Sequence, residues 1–313
     1  MMKSDDPEIV YIHTGTDIVH AELLWAALLS AHCIQPGSRL RCLVPEDDLA
    51  SLDAMVPPPL RGTFEWAPLA VPDGTPAYRN RWIKLQFPKW LRGPSLYLDS
   101  DTLIVRPLDW KLCRGLHFAT TRNRDSDGFL NPISSKYYAS GHFERAGWPW
   151  VDGLEDDYRN GGVVFVQPGA EAERLFGLWF ERWQAYHRAS GSHLDQPALN
   201  LTLHEANWNE QLPDSWNAPV FVLPKTARGA CIFHYYFSGI CDKLEDSTLL
   251  RTLQSKIRSG RLSVEEATAL LRSGKPYHGP GARARAYFEA GQYGWAARAM
   301  TTKYVNKLTR RSH

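Results

Sequence analysis

Three observations predict a mixed α/β fold built on a largely parallel sheet. The N-terminal third runs strand, turn, helix, strand, the signature of a βαβ unit. Short apolar, β-branched runs then keep alternating with segments of helical spacing. At 313 residues the chain is long enough for one large domain with a small appendage.

Glu8–Ile12 reads as the first strand, followed by the polar turn His13-Thr14-Gly15-Thr16-Asp17. Asp17 is placed to cap a helix in which Leu24, Leu28 and Leu29 recur at helical spacing. Arg39–Val44 is the second strand, ended by Pro45, and the Pro57-Pro58-Pro59 run precedes a short strand near Phe64. Arg81–Leu91 reads as a helix disturbed by Pro88, leading into an extended run from Ser95 to Val105. Leu116–Thr121 is a further strand, and the polar, Gly- and Pro-containing stretch Arg122–Arg159 has the length of a functional loop or lid. Gly161–Gln167 is a clear strand in which Val163-Val164-Phe165-Val166 is fully apolar. The helix Glu171–His187 carries Leu175, Leu178, Trp179, Trp183 and Tyr186 on one side, a stripe read as core.

After about Leu244 the composition changes. Ser263-Val264-Glu265-Glu266 is a capping box, Gly274–Gly281 a break, and Ala282–Leu308 resumes helical spacing. From Arg272 onward nine Lys and Arg residues stand against Glu289 alone, interleaved with Tyr287, Phe288, Tyr293, Trp295 and Tyr304. The expected organisation is a domain over 1–243 and a basic helical extension over 244–313, the latter able to touch anionic lipid headgroups.

A net charge of +2 argues against a nucleic-acid partner. Five scattered cysteines without a CxxC pair suit reduced thiols, and Met1–Glu8 is polar. The longest apolar stretch, Ile18–Ile34, contains His20, Glu22 and His32 and is short for a bilayer span. A cytoplasmic protein is expected, with peripheral contact at the inner membrane face through the tail.

The chemistry concentrates at Leu96-Tyr97-Leu98-Asp99-Ser100-Asp101-Thr102-Leu103. In an extended chain Asp99 and Asp101 project to one side, where two carboxylates repel unless a cation joins them. Hard divalent ions such as Mg2+ or Mn2+ suit such ligands and keep places for phosphate oxygens.

Four further segments stand in a telling order around this pair: Ile83-Lys84-Leu85, Arg159-Asn160-Gly161-Gly162-Val163-Val164, His193-Leu194-Asp195-Gln196-Pro197, and Ile232-Phe233-His234. Together they resemble the glycogenin-like family of retaining, nucleotide-sugar-dependent glycosyltransferases with the GT-A fold, over roughly Glu8 to Lys243. The resemblance implies a GT-A domain that transfers a hexose from a nucleotide diphosphate sugar, in the first instance a UDP-sugar, to a glycan, glycolipid or protein acceptor. It implies Asp99, Asp101 and His234 as ligands of Mn2+ or Mg2+, and Lys84 beside the diphosphate and the transferred sugar. Asn160 and Gly161 fall in the family's Asn-x-Gly turn, and Asp195 and Gln196 match its Asp-Gln pair beneath the sugar. The turn holding Thr14, Thr16 and Asp17 resembles the family's loop that meets the nucleoside, and Ser100 lies between the two carboxylates that match its metal-binding pair.

Two departures are visible. The family's Gly three residues after its histidine is replaced by Phe237, while Ser238-Gly239 and Lys243 come late for its Gly and Lys-Pro-Trp. Either the diphosphate loop is longer and Lys243 meets the phosphates, or Lys243 does not reach them. The tyrosine expected soon after Asp17 is absent. A haloacid-dehalogenase-like phosphatase needs a threonine two residues after its second Asp, where this chain has Leu103. A nucleotidyltransferase calls for an early Gly-rich basic loop, and His13–His20 holds only Gly15. A non-enzymatic glycan-binding or scaffold role would be favoured by loss of a metal ligand, and all three are present.

Overall fold

The computed structural model describes residues 6–123, 140–220, 224–236, 246–277, 280–289 and 293–309. Six strands form the central sheet: β1 (Glu8–Ile12), β2 (Leu40–Pro45), β3 (Glu65–Leu69), β4 (Ser95–Leu98), β6 (Phe118–Arg122) and β7 (Arg159–Val166). Their order is β3-β2-β1-β4-β7-β6. The first four are mutually parallel, and β7 runs antiparallel to both β4 and β6. A second, three-stranded sheet joins β5 (Thr102–Ile104), β9 (Ile232–His234) and β8 (Ala218–Pro219) in the order β5-β9-β8. The predicted α/β class and its parallel-dominated sheet are therefore observed.

Both faces of the large sheet are covered, which explains why its central strands β1, β4 and β7 are buried at every position and mostly apolar rather than alternating. Ile9 and Tyr11 of β1 face one core; Val10 and Ile12 face the other. The first core is roofed by α1 (Ile18–Ile34), whose N-cap Asp17 accepts a hydrogen bond from Val19 N–H. Leu24, Leu28 and Leu29 are all buried there. The second core is roofed by α3 (Pro76–Leu85), α4 (Ala170–Ser190) and α5 (Gln196–Glu205). The aromatic stripe of α4 lies in the interior: Leu175, Trp179, Trp183 and Tyr186 are buried. Truncating Trp179 to alanine should cost about 3–5 kcal/mol, the usual range for a buried tryptophan.

The helices after Leu244 share the first core. Helices α6 (Leu249–Arg258) and α7 (Val264–Arg272) pack on α1, with Leu249, Leu253, Ala267 and Leu271 fully buried. Glu22, buried on α1, pairs with Arg258 of α6 through both carboxylate oxygens. Ser263 caps α7 by accepting from Glu266 N–H, as its capping box predicts. Two more helices follow, α8 (Pro280–Glu289) and α9 (Tyr293–Thr309).

Two local expectations are corrected. The helix expected over Arg81–Leu91 is α3, which begins five residues earlier because Thr75 accepts from Tyr78 N–H and Pro76 sits in the first turn. It ends at Leu85, and Pro88 falls in a short 3-10 turn, Phe87–Trp90. The extended run Ser95–Val105 is two strands in two different sheets, β4 and β5, separated by a tight turn. No helix among the described residues is long and apolar enough to cross a membrane. Cys33, Cys42, Cys113 and Cys231 are unpaired; Cys241 lies outside the described residues.

Candidate active site

The parallel strands β1 and β4 end side by side, and the chain leaving them opens a cleft of about 800 Å3. Its walls include the turn from His13 to Asp17 after β1, Asp99-Ser100-Asp101 after β4, and His193-Leu194 ahead of α5. A crevice at the carboxyl ends of parallel strands is the usual ligand site of such sheets.

The Asp99-Ser100-Asp101 turn is closed by Thr102 N–H donating to Asp99 O at 3.1 Å and Thr102 Oγ1 donating to the same oxygen at 2.7 Å. The two carboxylates thus converge by a turn, not by the alternation of one strand. The switch of sheets also supplies the third group. Thr102 of β5 is the register partner of His234 on β9, and Tyr235 N–H donates to Asp101 O at 3.0 Å. One ligand atom each from Asp99, Asp101 and His234 lies within 4.8 Å of the others. His234 Nε2 is 3.1 Å from Asp101 Oδ1 and 4.0 Å from Asp99 Oδ2. Burial raises the pKa of the Asp101 carboxyl, but the neighbouring His234 outweighs it and the net shift is downward.

Two oxygen donors and one imidazole suit Mn2+ or Mg2+ with coordination places left open. The backbone is shaped for this cluster. A Cβ at Gly162 would collide with the His234 ring and stand 2.7 Å from Asp99 Oδ2. Asp99 N–H is held by Gly162 O at 2.9 Å. The residues present therefore fit a divalent ion.

Next to the cluster lies a buried charge pair. Lys84 Nζ, on α3, is 2.7 Å from Asp195 Oδ2 and 3.7 Å from Asp99 Oδ1. Arg81 Nε, one turn earlier, is 3.5 Å from Asp195 Oδ1. Asp195 occupies the N-cap position of α5 yet makes no capping hydrogen bond; its carboxylate turns to the two cations instead. Burial raises its pKa, while Arg81 and Lys84 more than reverse that and keep it ionised. Burial disfavours the charge on Arg81, but Asp195 and Asp99 overcome it and hold the guanidinium charged. Tyr97 donates its hydroxyl to Asp99, and burial followed by the Asp99 charge pushes the phenol well up, so it stays neutral.

Asn160 opens β7 beside this pair. Its Nδ2 reaches Gln196 Oε1 at 3.4 Å, and its Oδ1 accepts from Gly162 N–H at 2.8 Å. Gly161 backs onto Lys84, where an added Cβ would stand 3.3 Å from Nζ. In the turn after β1, Thr14 donates to Pro76 O at 2.6 Å, and Gly15, at φ +82°, donates to Asp48 Oδ2 at 2.7 Å. Thr16, Asp17 and Ser100 line the cleft.

The structure thus gathers Lys84, Asp99, Asp101, Asn160, Gly161, Asp195, Gln196 and His234 at one end of the sheet, with Thr14, Thr16, Asp17 and Ser100 along the same cleft. Lys243 lies outside the described residues. Sequence reasoning missed Arg81, Tyr97 and Asn217. Tyr97 stands two residues before Asp99 and shares its side of the strand, a readable signal. Arg81 precedes Lys84 by about one helical turn, a shared face that follows only once α3 begins at Pro76. Asn217 carries no sequence signal.

No family model matches the chain, and no curated protein matches it by sequence. Its fold, however, is shared with solved glycosyltransferases. The galactosyltransferase LgtC, solved with donor and acceptor sugar analogs, aligns over 85% of this chain and 95% of its own at 17% identity and a TM-score of 0.51. An active-site Gln-to-Glu variant of LgtC aligns over 80% and 95% at 16% identity and a TM-score of 0.52. The bifunctional glycosyltransferase WbbM aligns over 84% of this chain but 53% of its own, at 12% identity and a TM-score of 0.54. The fold is GT-A. Within a GT-A frame the cleft at the ends of β1 and β4 is the part of the molecule where the expected site residues converge.

Proposed function

We propose that the chain is a metal-dependent glycosyltransferase that moves a hexose from a nucleotide diphosphate sugar, a UDP-sugar in the first instance, to a glycan, glycolipid or protein acceptor with retention. The observation that carries this reading is the contact between two functional clusters: Lys84 Nζ stands within 4 Å of Asp99, a candidate metal ligand, and of Asp195, a buried carboxylate. A cation site beside a fixed ammonium suits a diphosphate, and a carboxylate next to it suits a sugar whose anomeric carbon gains positive charge.

Asp99, Asp101 and His234 would hold Mn2+ or Mg2+, which supplies charge stabilisation to the departing diphosphate. Lys84 and Arg81 add positive charge that is already oriented by Asp195, so little reorganisation accompanies the reaction. Asp195, kept ionised by those two cations, stabilises or traps the oxocarbenium-like carbon. Asn160 and Gln196 present amide groups to sugar hydroxyls. The loop Thr14–Asp17 receives the nucleoside. The region over 1–243 carries this chemistry. The basic extension over 244–313 recruits acceptor at an anionic surface, placing a cytoplasmic enzyme at the inner membrane face.

Calorimetric titration with UDP, first with Mn2+ and then with EDTA, tests the reading. Binding that needs Mn2+ and is lost in Asp99→Ala supports it. Absence of binding by UDP, GDP, CMP and dTDP alike would overturn it in favour of a non-enzymatic glycan-binding module.

A further inference from the structure

A chain of buried hydrogen bonds runs from the backbone of β7 to the ring of His234. Gly162 N–H donates to Asn160 Oδ1 at 2.8 Å. A backbone amide has one polarity only, so this bond fixes which end of the Asn160 amide is oxygen. Asn217 approaches that same oxygen at 3.0 Å and must present its Nδ2 group there. The second hydrogen of that group goes to Thr121 Oγ1 at 2.7 Å. Asn217 Oδ1 is then the atom that faces His234 Nδ1, at 2.8 Å, and an amide oxygen can only accept.

We infer that Asn217 is a positioning residue that keeps a proton on His234 Nδ1 and aims Nε2 at Asp99 and Asp101, linking the metal-binding histidine to Asn160 in the sugar pocket. The inference rests on the metal-site reading above. Metal-ligating histidines usually donate their second ring N–H to an outer partner, which sets ring orientation and basicity. Here the partner is a neutral amide whose own orientation is dictated by main chain. Asn217 is 3% exposed and His234 2%, so water cannot readily replace either partner. The relay also ties two functions together: any shift of Asn160 alters what Asn217 offers to His234.

Two substitutions separate the links. In Asn217→Ala both are lost. In Asn217→Asp a carboxylate still accepts from Nδ1 but can no longer donate to Asn160. Mn2+ affinity, read by electron paramagnetic resonance on the full chain, should fall about 10- to 100-fold in Asn217→Ala and stay within about threefold in Asn217→Asp. Donor KM should rise in both. A second readout needs no metal: in metal-free protein labelled with 15N-histidine, a solvent-protected Nδ1–H signal, assigned by its absence in His234→Gln, should be seen in the wild type and in Asn217→Asp but not in Asn217→Ala. Unchanged Mn2+ affinity together with a retained Nδ1–H signal in a folded Asn217→Ala overturns the assignment. A wild type that shows the protected proton but binds no Mn2+ leaves the orientation standing and sinks the metal-site reading instead.

Discussion

Lys84 Nζ lies 2.7 Å from Asp195 Oδ2, and the two side chains are 3% and 7% exposed. Removing one partner of such a pair strands a charge in a low-dielectric site, a loss of about 3–5 kcal/mol. Lys84→Met should therefore lower the melting temperature as well as the rate, with the nearby Arg81 offsetting part of the loss. The double variant Lys84→Met/Asp195→Asn should recover stability but not activity. Thermal unfolding of the four proteins in the cycle checks this; equal melting temperatures throughout would show the pair to be solvated.

The carboxylates of the Asp99-Ser100-Asp101 turn repel each other when no cation lies between them. Asp101→Asn should abolish turnover and, because His234 favours the ionised Asp101 carboxylate in the fold, lower the melting temperature of the metal-free protein only slightly. In the wild type, Mn2+ should raise the melting temperature, and in Asp101→Asn that increment should vanish. A variant that still turns over donor at the wild-type rate would remove Asp101 from the site.

Gly162→Ala tests the close approach of β7 to the candidate metal ligands Asp99 and His234. Its methyl group would meet the His234 ring and Asp99, whereas at Gly161 the nearest atom is the flexible end of Lys84. The expected outcome is a loss of about tenfold or more in Mn2+ affinity for Gly162→Ala and a much smaller change for Gly161→Ala. Titration of both variants with Mn2+ decides it.

His13 gives the stability a defined pH slope. It is 3% exposed, and burial, then His20, lower its pKa from 6.5 to about 4. Between those values the unfolded chain takes up a proton that the folded chain refuses. Stability should thus fall as pH drops from about 6.5 and level off below about 4, a loss of about 3 kcal/mol from this residue. His13→Gln should flatten that part of the curve in urea unfolding measured across the window.

Ending the chain after Tyr277 removes α8 and α9 but keeps α6 and α7, whose leucines fill the first core. Mn2+-dependent UDP binding should persist, and co-sedimentation with anionic vesicles should drop. Exposed Phe288 and Tyr293, in edge contact at 5.3 Å, make the lost surface aromatic as well as basic. Unchanged sedimentation would remove the proposed membrane-docking role from these two helices.

Much of this was readable one residue at a time. The strand Glu8–Ile12, the cap at Asp17, the stripe of α4 and the capping box at Ser263 depend on neighbours in sequence, so local chemistry sufficed. The candidate ligands were visible as residue types in order. Their arrangement was not, because it is made by pairing across sheets. The split of the Ser95–Val105 run between two sheets, the engagement of Asp195 by α3 in place of capping, and the place of Asn217 all arise from contacts far apart along the chain. The early start of α3 is legible in Thr75-Pro76, an N-cap residue followed by a proline in the first turn.

The pairing of Thr102 with His234 joins a strand from the first third of the chain to one from beyond its two-thirds point. A ribosome-bound fragment that ends before β9 would hold two carboxylates but no imidazole and no partner strand for β5. The three-residue cluster is then complete only late in synthesis. A nascent chain that has stalled or been clipped short of Ile232 lacks the third member of the Asp99, Asp101 and His234 cluster, and on the function proposed above it would bind neither the cation nor the donor.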